Sequence, residues 1–262
     1  MPDPHVVALY YRLETGRQLA FNEPTPLEKV ADAFSLRLAN GQLRVEMKDH
    51  FATADAARLK VDPYMRSWEI ATDLKHGPGA IRFRFESPEI IDRDPPPPGA
   101  SVVVQLEGVS CVATAGVVAV VVTSKQYPDP PDRFVASPDV ETMWLRYSGY
   151  VAGKEPLLSM AYMCLTVLEA STGKAKRKRE AAAKRYTVDI DVLKKLGALT
   201  TERGDAATAR KVEAGRPFQP LSDTETTWVK DVIRALIRRV GEWRADSQFP
   251  WPKITMADFP KL

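Results

Sequence analysis

The sequence predicts an α+β protein, with a mostly antiparallel N-terminal sheet under one helical layer and an all-helical C-terminal bundle. Three observations support this class. The first half combines stretches of period-two alternation with one helical stretch, residues 127–138 carry four prolines, and the second half has helical periodicity. The chain has 262 residues, 44% apolar and 27% charged, which is typical of a globular protein of one large or two ordinary domains.

A hairpin is the clearest element of the first half. Residues 34–48 alternate in polarity on both sides of Asn40-Gly41, a pair that supplies the two positive φ angles of a type I′ turn. A two-residue loop pairs Ala39 with Gln42, which sets the register of the whole hairpin. One face is then apolar and consists of Phe34, Leu36, Leu38, Leu43, Val45 and Met47.

Two more strands and one helical stretch accompany the hairpin. Residues 5–13 and 80–86 alternate as strands do, and residues 53–75 have helical periodicity. We expect this helical stretch to break at Asp62-Pro63, because a capping Asp followed by Pro favours the start of a new helix.

The Val-rich stretch 102–122 is long enough to span a membrane. It contains Gln105, Glu107 and many β-branched residues, so two buried strands are predicted instead, which makes about six strands in all. No basic segment precedes an apolar one at the N-terminus, so no secretory leader is predicted. Two cysteines are too few for a disulfide framework, and we expect a cytoplasmic protein without membrane contact.

Four segments follow from these patterns. Residues 1–126 form an α+β sheet domain, 127–138 a proline-rich linker, 139–246 a helical bundle, and 247–262 an apolar, proline-containing tail. The last long helix of the bundle begins at a Ser-x-x-Glu capping box and carries one apolar stripe. The stripe consists of Val229, Val232, Ile233, Leu236, Ile237, Val240 and Trp243.

Residue types and spacing argue against most catalytic classes. The three histidines and two cysteines show neither CxxC nor HExxH spacing, and neither GxSxG nor GxxxxGK[ST] occurs. Glu89, Asp92 and Asp94 are close in sequence, but acids beside prolines are more typical of a solvated turn than of a Mg²⁺ site. We therefore expect no catalytic residue, no metal and no cofactor, with a carboxylate-dependent metal hydrolase or nuclease as the least favoured function.

One nuclease-like pattern lies in the hairpin. Glu46-Met47-Lys48, with Asp32 before the preceding strand, resembles the PD-(D/E)xK nuclease arrangement. In the predicted register Glu46 and Lys48 lie on the polar face, whereas Asp32 falls on the apolar face. The three side chains would not converge, so a charged outer face with cross-strand pairs is predicted.

The second half is also similar to a known family. It combines a long apolar helix at 155–170, a basic helix and a long capped final helix, and over about residues 139–246 it resembles HEPN-type bundles of bacterial defence and toxin proteins. Active members of that family carry Arg-x4–6-His on a bundle helix for RNA cleavage. Residues 139–262 contain no histidine, and the match from Arg44 to His50 begins in the hairpin. The resemblance therefore implies a non-catalytic, binding or dimerising member.

The most unusual stretch is the basic run GKAKRKREAAAKR, residues 173–185. It has a net charge of +6 in a chain whose net charge is +3, so the rest of the chain is acidic. Read as a helix over Lys174 to Arg185, it is either a solvated helix or a grip for nucleic-acid phosphates without base readout. Arg234, Arg238 and Arg239 are expected on the polar side of the last helix, where they would extend the basic surface. The nucleic-acid-binding candidates are Lys174, Lys176, Arg177, Lys178, Arg179, Lys184, Arg185, Arg234 and Arg238.

Two non-catalytic functions are compatible with these sequence patterns. The first hypothesis is a non-enzymatic binding or assembly protein, in a bacterial defence or regulatory setting that rests on the HEPN resemblance. Its tail would either dock on its own domain or bind a protein partner, including another copy of the chain. The partner-binding candidates are Phe249, Trp251, Ile254, Met256 and Phe259. The alternative is a sequence-nonspecific nucleic-acid-binding protein that uses the basic run.

Overall fold

The computed structural model describes residues 3–17, 19–94, 122–204 and 219–262. The chain divides into two compact units, Met1–Met65 with Lys75–Asp129, and Arg66–Leu74 with Pro130–Leu262. The division at Asp129 falls inside the proline-rich segment 127–138. It also assigns residues 66–74 to the second unit, whereas the sequence alone placed them with the sheet.

The first unit contains the sheet and confirms the α+β class. Its strands are β1 (Pro4–Thr15), β2 (Leu19–Thr25), β3 (Leu27–Val30), β4 (Phe34–Ala39), β5 (Gln42–Met47), β6 (Ile81–Asp92) and β7 (Val122–Gln126). Five of them form one sheet in the order β3-β4-β5-β1-β6, in which every neighbouring pair is antiparallel. Strands β2 and β7 pair separately and in parallel. The predicted Val-rich strands between residues 102 and 121 lie outside the described residues.

The hairpin of β4 and β5 has the predicted register. Asn40 and Gly41 have φ angles of 52° and 74°, and Ala39 pairs with Gln42. The alternation buries the six predicted apolar side chains on one face. Glu46 faces Ser35 and Arg37 faces Arg44 on the other face, which is the predicted charged surface. Local turn geometry and the period of the strand therefore determine this element.

One continuous helix, α1 (Ala54–His76), replaces the two predicted helices, so the predicted break at Asp62-Pro63 is wrong. Proline removes the donor for the carbonyl of Leu59, but Leu59 and Pro63 are both exposed, so water can reach that carbonyl. Asp62 does not cap a helix. Its carboxylate accepts a hydrogen bond from the Tyr11 hydroxyl at 2.7 Å and pairs with Arg58 at 3.0 Å. Burial and the Asp62 carboxylate both raise the pKa of Tyr11.

The second unit is helical. Its helices are α2 (Pro138–Val151), α3 (Leu157–Ala170), α4 (Lys178–Arg185), α5 (Ile190–Glu202) and α6 (Asp223–Ala245), and a 3₁₀ turn (Met256–Asp258) follows. The predicted capping box is present, since the Ser222 hydroxyl accepts from the Glu225 N–H and the Glu225 carboxylate accepts from the Ser222 N–H. Six of the seven predicted stripe residues are buried and Trp243 is partly buried. Among the described residues, no helix is long and apolar enough to cross a membrane.

A buried histidine is expected to make the stability of the first unit sensitive to acid. His5 in β1 is 7% exposed, and its ring stacks on His50 with centroids 5.1 Å apart. Its pKa is lowered, mainly by burial, then by electrostatic interactions with Arg93 and His50, with a smaller opposing effect of Asp3. The folded state therefore binds fewer protons than the unfolded state, and stability falls as the pH drops below the unfolded pKa of about 6.5.

We expect urea midpoints to fall between about pH 7 and pH 5, and His5→Gln to reduce that fall. His76→Gln, which removes an imidazole from an exposed position, is the control variant. An unchanged pH dependence in the His5 variant would contradict this assignment.

Candidate nucleic-acid interface

The basic run forms a loop followed by a short helix. Helix α4 begins at Lys178, so the prediction of a helix from Lys174 was too long by one turn. Gly173 has a φ of 67°, and Arg177 at the N-cap is not helical, with φ −112° and ψ 74°. The helix is anchored by Ala182 and Ala183, which are buried in the core of the second unit. The short helix therefore has a fixed inner face and carries its charges outside.

Six of the seven cations of the basic run are exposed: Lys174, Lys176, Arg177, Lys178, Lys184 and Arg185. The exception is Arg179, whose guanidinium pairs with Glu169 of α3 at 2.7 Å and lies beside Gly197 of α5. The acid within the run, Glu180, pairs with Arg177 at 3.3 Å across an exposed helix turn. Exposed pairs of this type are weak, so Arg177 can exchange its partner at little cost.

The N-terminus of α4 adds to the positive charge. A side chain at the N-cap normally accepts a hydrogen bond from the first turn, but Arg177 has no acceptor group and makes no such bond. The N–H groups of the first turn lie next to Lys176, Arg177 and Lys178. The helix dipole and these three side chains therefore favour an anion at this end of the helix, where Glu180 of the first turn already supplies one carboxylate.

The arginines of α6 do not act as one group. Arg234 pairs with Asp231 at 2.5 Å and lies near Tyr147 of α2, while Arg238 is exposed. The prediction that Arg239 lies on the polar side is wrong, because this residue is only 5% exposed. Its spacing from Val232, Leu236 and Trp243 follows the apolar stripe, and this spacing is the signal that the sequence offered.

The guanidinium of Arg239 is the centre of a buried polar cluster. It donates to the carbonyl oxygens of Tyr186 at 3.0 Å, Thr187 at 3.2 Å and Pro252 at 2.8 Å, and it pairs with Glu242 at 3.1 Å. These bonds join the end of α4, helix α6 and the C-terminal tail. Arg239 is therefore a structural residue and not part of the phosphate-binding candidates.

The tail lies against its own unit. Ile254 exchanges backbone hydrogen bonds with Thr187 and Asp189, and the Phe259 ring meets Trp228 with centroids 5.9 Å apart. The guanidinium of Arg133 covers the Phe249 ring at 4.1 Å, and the Trp251 indole N–H donates to the Asp246 carbonyl at 2.9 Å. Met256 is the most exposed of the five partner-binding candidates. Four of the five are therefore half-buried in contacts within this unit.

The acidic candidates of the first unit do not form a common site. Glu89 accepts from the Tyr10 hydroxyl at 2.8 Å and lies 3.4 Å from Arg44, whereas Asp92 accepts backbone N–H groups of Asp3 and Asp94. Both belong to β6 and not to the solvated turn that the sequence suggested. Within the described parts of the chain, no group of three His, Cys, Asp or Glu residues is arranged to hold a metal ion.

Fold and surface together define a two-unit α+β protein whose helical unit presents a concentrated basic surface. Comparison with protein-family models, with curated proteins and with solved structures finds no match for this chain.

Proposed function

We propose that this protein binds nucleic acid without catalysis and without sequence preference, through the phosphate-contacting cations of the basic run. The observation that carries the proposal is the exposure of six cations on a 13-residue segment that the buried Ala182 and Ala183 hold in place. The resemblance to HEPN-type bundles implies a non-catalytic, binding or dimerising member, and nucleic-acid binding is one such role.

Charge concentration supports this function physically. Each phosphate that a Lys or Arg neutralises releases condensed counterions, so closely spaced cations add their contributions to affinity. The run itself contains no aromatic residue, and its long flexible cations recognise charge and not base edges. We therefore expect binding that tolerates any sequence and weakens steeply with salt.

The assembly hypothesis has less support from the geometry. Its interface was the apolar tail, and that tail makes backbone hydrogen bonds and ring contacts within its own unit. A partner would have to displace these contacts before it could bind the same side chains. Binding to the basic run displaces less. Its four lysines are exposed, Arg177 has an exposed pair with Glu180, and Arg185 donates to the Ser171 carbonyl.

A charge-removal variant tests the proposal. Lys176→Gln, Arg177→Gln and Lys178→Gln together remove three exposed cations, and Arg179 stays intact because it pairs with Glu169. We expect this triple variant to bind labelled single-stranded RNA and duplex DNA about tenfold or more weakly, with a salt slope smaller by about three. Fluorescence anisotropy from about 50 to 200 mM salt measures both quantities.

A matched variant controls for net charge. Lys60→Gln, Lys125→Gln and Lys154→Gln remove the same charge from exposed positions outside the run and should change the slope little. An equal loss of nucleic-acid affinity in the two triple variants would show a general effect of net charge and contradict a specific role of the basic run. No binding by the unaltered chain at low salt would leave the run a solvated surface.

A further inference from the structure

A cavity of about 340 Å³ lies at the end of the basic run, within the second unit. It is surrounded by the first turn of α2, the residue after α3, the end of α4 and the last turns of α6. The lining that matters here consists of Asp139, Ser171, Arg185, Tyr186, Trp243 and Arg244. Its volume is in the lower part of the range of small-ligand sites, of about 300 to 1,000 Å³.

One wall of the cavity is aromatic and held in place. The rings of Tyr186 and Trp243 meet edge to face, with centroids 5.4 Å apart and planes at 74°. The Tyr186 hydroxyl donates to the Ser171 hydroxyl at 2.8 Å, which fixes the tyrosine from the other side. The guanidinium of Arg185 lies 4.9 Å from the centre of the Trp243 ring. A planar aromatic ligand would find a stacking surface here, because bases stack on both indole rings and guanidinium planes.

Charged groups of both signs complete the cavity. Arg244 is exposed at its edge, and Arg185, the last cation of the basic run, is also part of the lining and donates to the Ser171 carbonyl. Asp139 places a carboxylate in the first turn of α2, and this side chain has no ion-pair partner among the described residues. A carboxylate accepts hydrogen bonds from the amino and imino groups of a base, but repels a phosphate.

We infer that this cavity holds one unpaired nucleobase of a single strand whose phosphates lie on the basic run, with the base against Trp243 and Arg185 and facing Asp139. This inference rests on the proposed function and adds the substrate class, namely single-stranded nucleic acid. In a duplex every base is paired and stacked, so none can enter without the cost of unstacking. The basic run alone binds the phosphates of single strands and of duplexes. The cavity accepts a base only from a single strand and therefore distinguishes between the two.

Two measurements on the full chain test the inference. Guanosine 5′-monophosphate, whose base presents two adjacent N–H donors to a carboxylate, should bind more tightly than ribose 5-phosphate in calorimetric titrations. In the second measurement, Trp243→Leu should lower the affinity for single-stranded RNA about tenfold and leave the affinity for duplex DNA unchanged, because the lost interaction is stacking. Thermal unfolding of this variant verifies that it remains folded.

The outcomes separate the inference from the proposed function. The inference would be overturned if guanosine monophosphate and ribose phosphate bound equally well. It would also be overturned if a folded Trp243 variant kept its preference for single strands. Neither result would contradict phosphate binding by the basic run. If the triple variant of Lys176, Arg177 and Lys178 binds normally while Trp243→Leu loses affinity for single strands, phosphate binding by the run is wrong. Of the inference, only the base site in the cavity is then supported. Should Trp243→Leu unfold, the comparison of guanosine monophosphate with ribose phosphate decides by itself.

Discussion

Replacing Arg239 with methionine is expected to lower the free energy of unfolding by about 3 kcal/mol or more. Methionine fills much of the volume but has no N–H group. It leaves the carbonyl oxygens of Tyr186, Thr187 and Pro252 without the guanidinium as donor, and the partly buried Glu242 without its cation. The Thr187 carbonyl keeps the N–H of Ile254 as a donor, and Pro252 is exposed to water. The main costs are therefore the buried Tyr186 carbonyl, at about 1 to 3 kcal/mol, and Glu242 without its cation.

Chemical denaturation of the unaltered and variant chains measures this effect, and limited proteolysis reports on the tail. The tail should become easier to cleave, because the bond from Arg239 to Pro252 is one of its attachments. Arg234→Met is the matched control, since Arg234 lies on the same helix and pairs with Asp231 on a partly exposed surface. Loss of the ion pair between Arg234 and Asp231 should lower the free energy of unfolding by less than about 1 kcal/mol. Similar costs for both variants would contradict the structural role of Arg239.

Gly241→Ala should destabilise the second unit by about 2 kcal/mol. A Cβ at this position of α6 would lie 2.2 Å from the Cε2 atom of Phe134, a ring that is itself buried. Overpacking of this type costs up to about 3 kcal/mol, whereas the better helix propensity of alanine returns about 1 kcal/mol. The clash should therefore outweigh the gain in propensity, because a buried ring cannot move without displacing its neighbours.

Gly197→Ala in α5 is the matched control for this glycine. Its Cβ would meet the Nη1 atom of Arg179 at 2.6 Å, but that atom is the far end of a flexible side chain. Displacing this atom weakens the ion pair of Arg179 with Glu169, while alanine stabilises the helix more than glycine does. The two effects are similar in size, so we expect almost no change in the free energy of unfolding. Thermal unfolding of both variants measures the difference. Equal destabilisation would show that the ring of Phe134 yields as easily as the tip of Arg179.

Local patterns in the sequence were sufficient for some elements. The register of the β4–β5 hairpin follows from Asn40-Gly41 and the alternation on both sides, and the structure reproduces it pair by pair. The start and buried face of α6 likewise follow from the capping box at Ser222 and the spacing of its apolar residues. Turn conformation, capping and periodicity depend on residues within a few positions of each other, so the sequence contains what is needed to predict them.

The candidate site depended much more on tertiary structure. The sequence identified the exposed cations of the basic run as phosphate-binding candidates. It also placed Arg179 among them, although this residue forms an ion pair with Glu169 of α3. It did not indicate that Trp243, far along the chain, stacks against Arg185 and forms a wall of the cavity. A run of charged residues can be recognised in the sequence, whereas a pocket forms only where elements that are distant in the chain meet.

The remaining differences have the same physical origin. The sequence by itself determined the α+β class, the hairpin register, the capped final helix and the concentration of basic charge. Only the tertiary structure decided that α1 continues through Pro63, that Arg239 is buried, and that the tail docks on its own unit. Each of these depends on whether a polar group finds a partner or water at a distant point of the fold. The spacing of Arg239 placed it on the apolar stripe of α6, but the sequence does not show the carbonyl oxygens that make its burial possible.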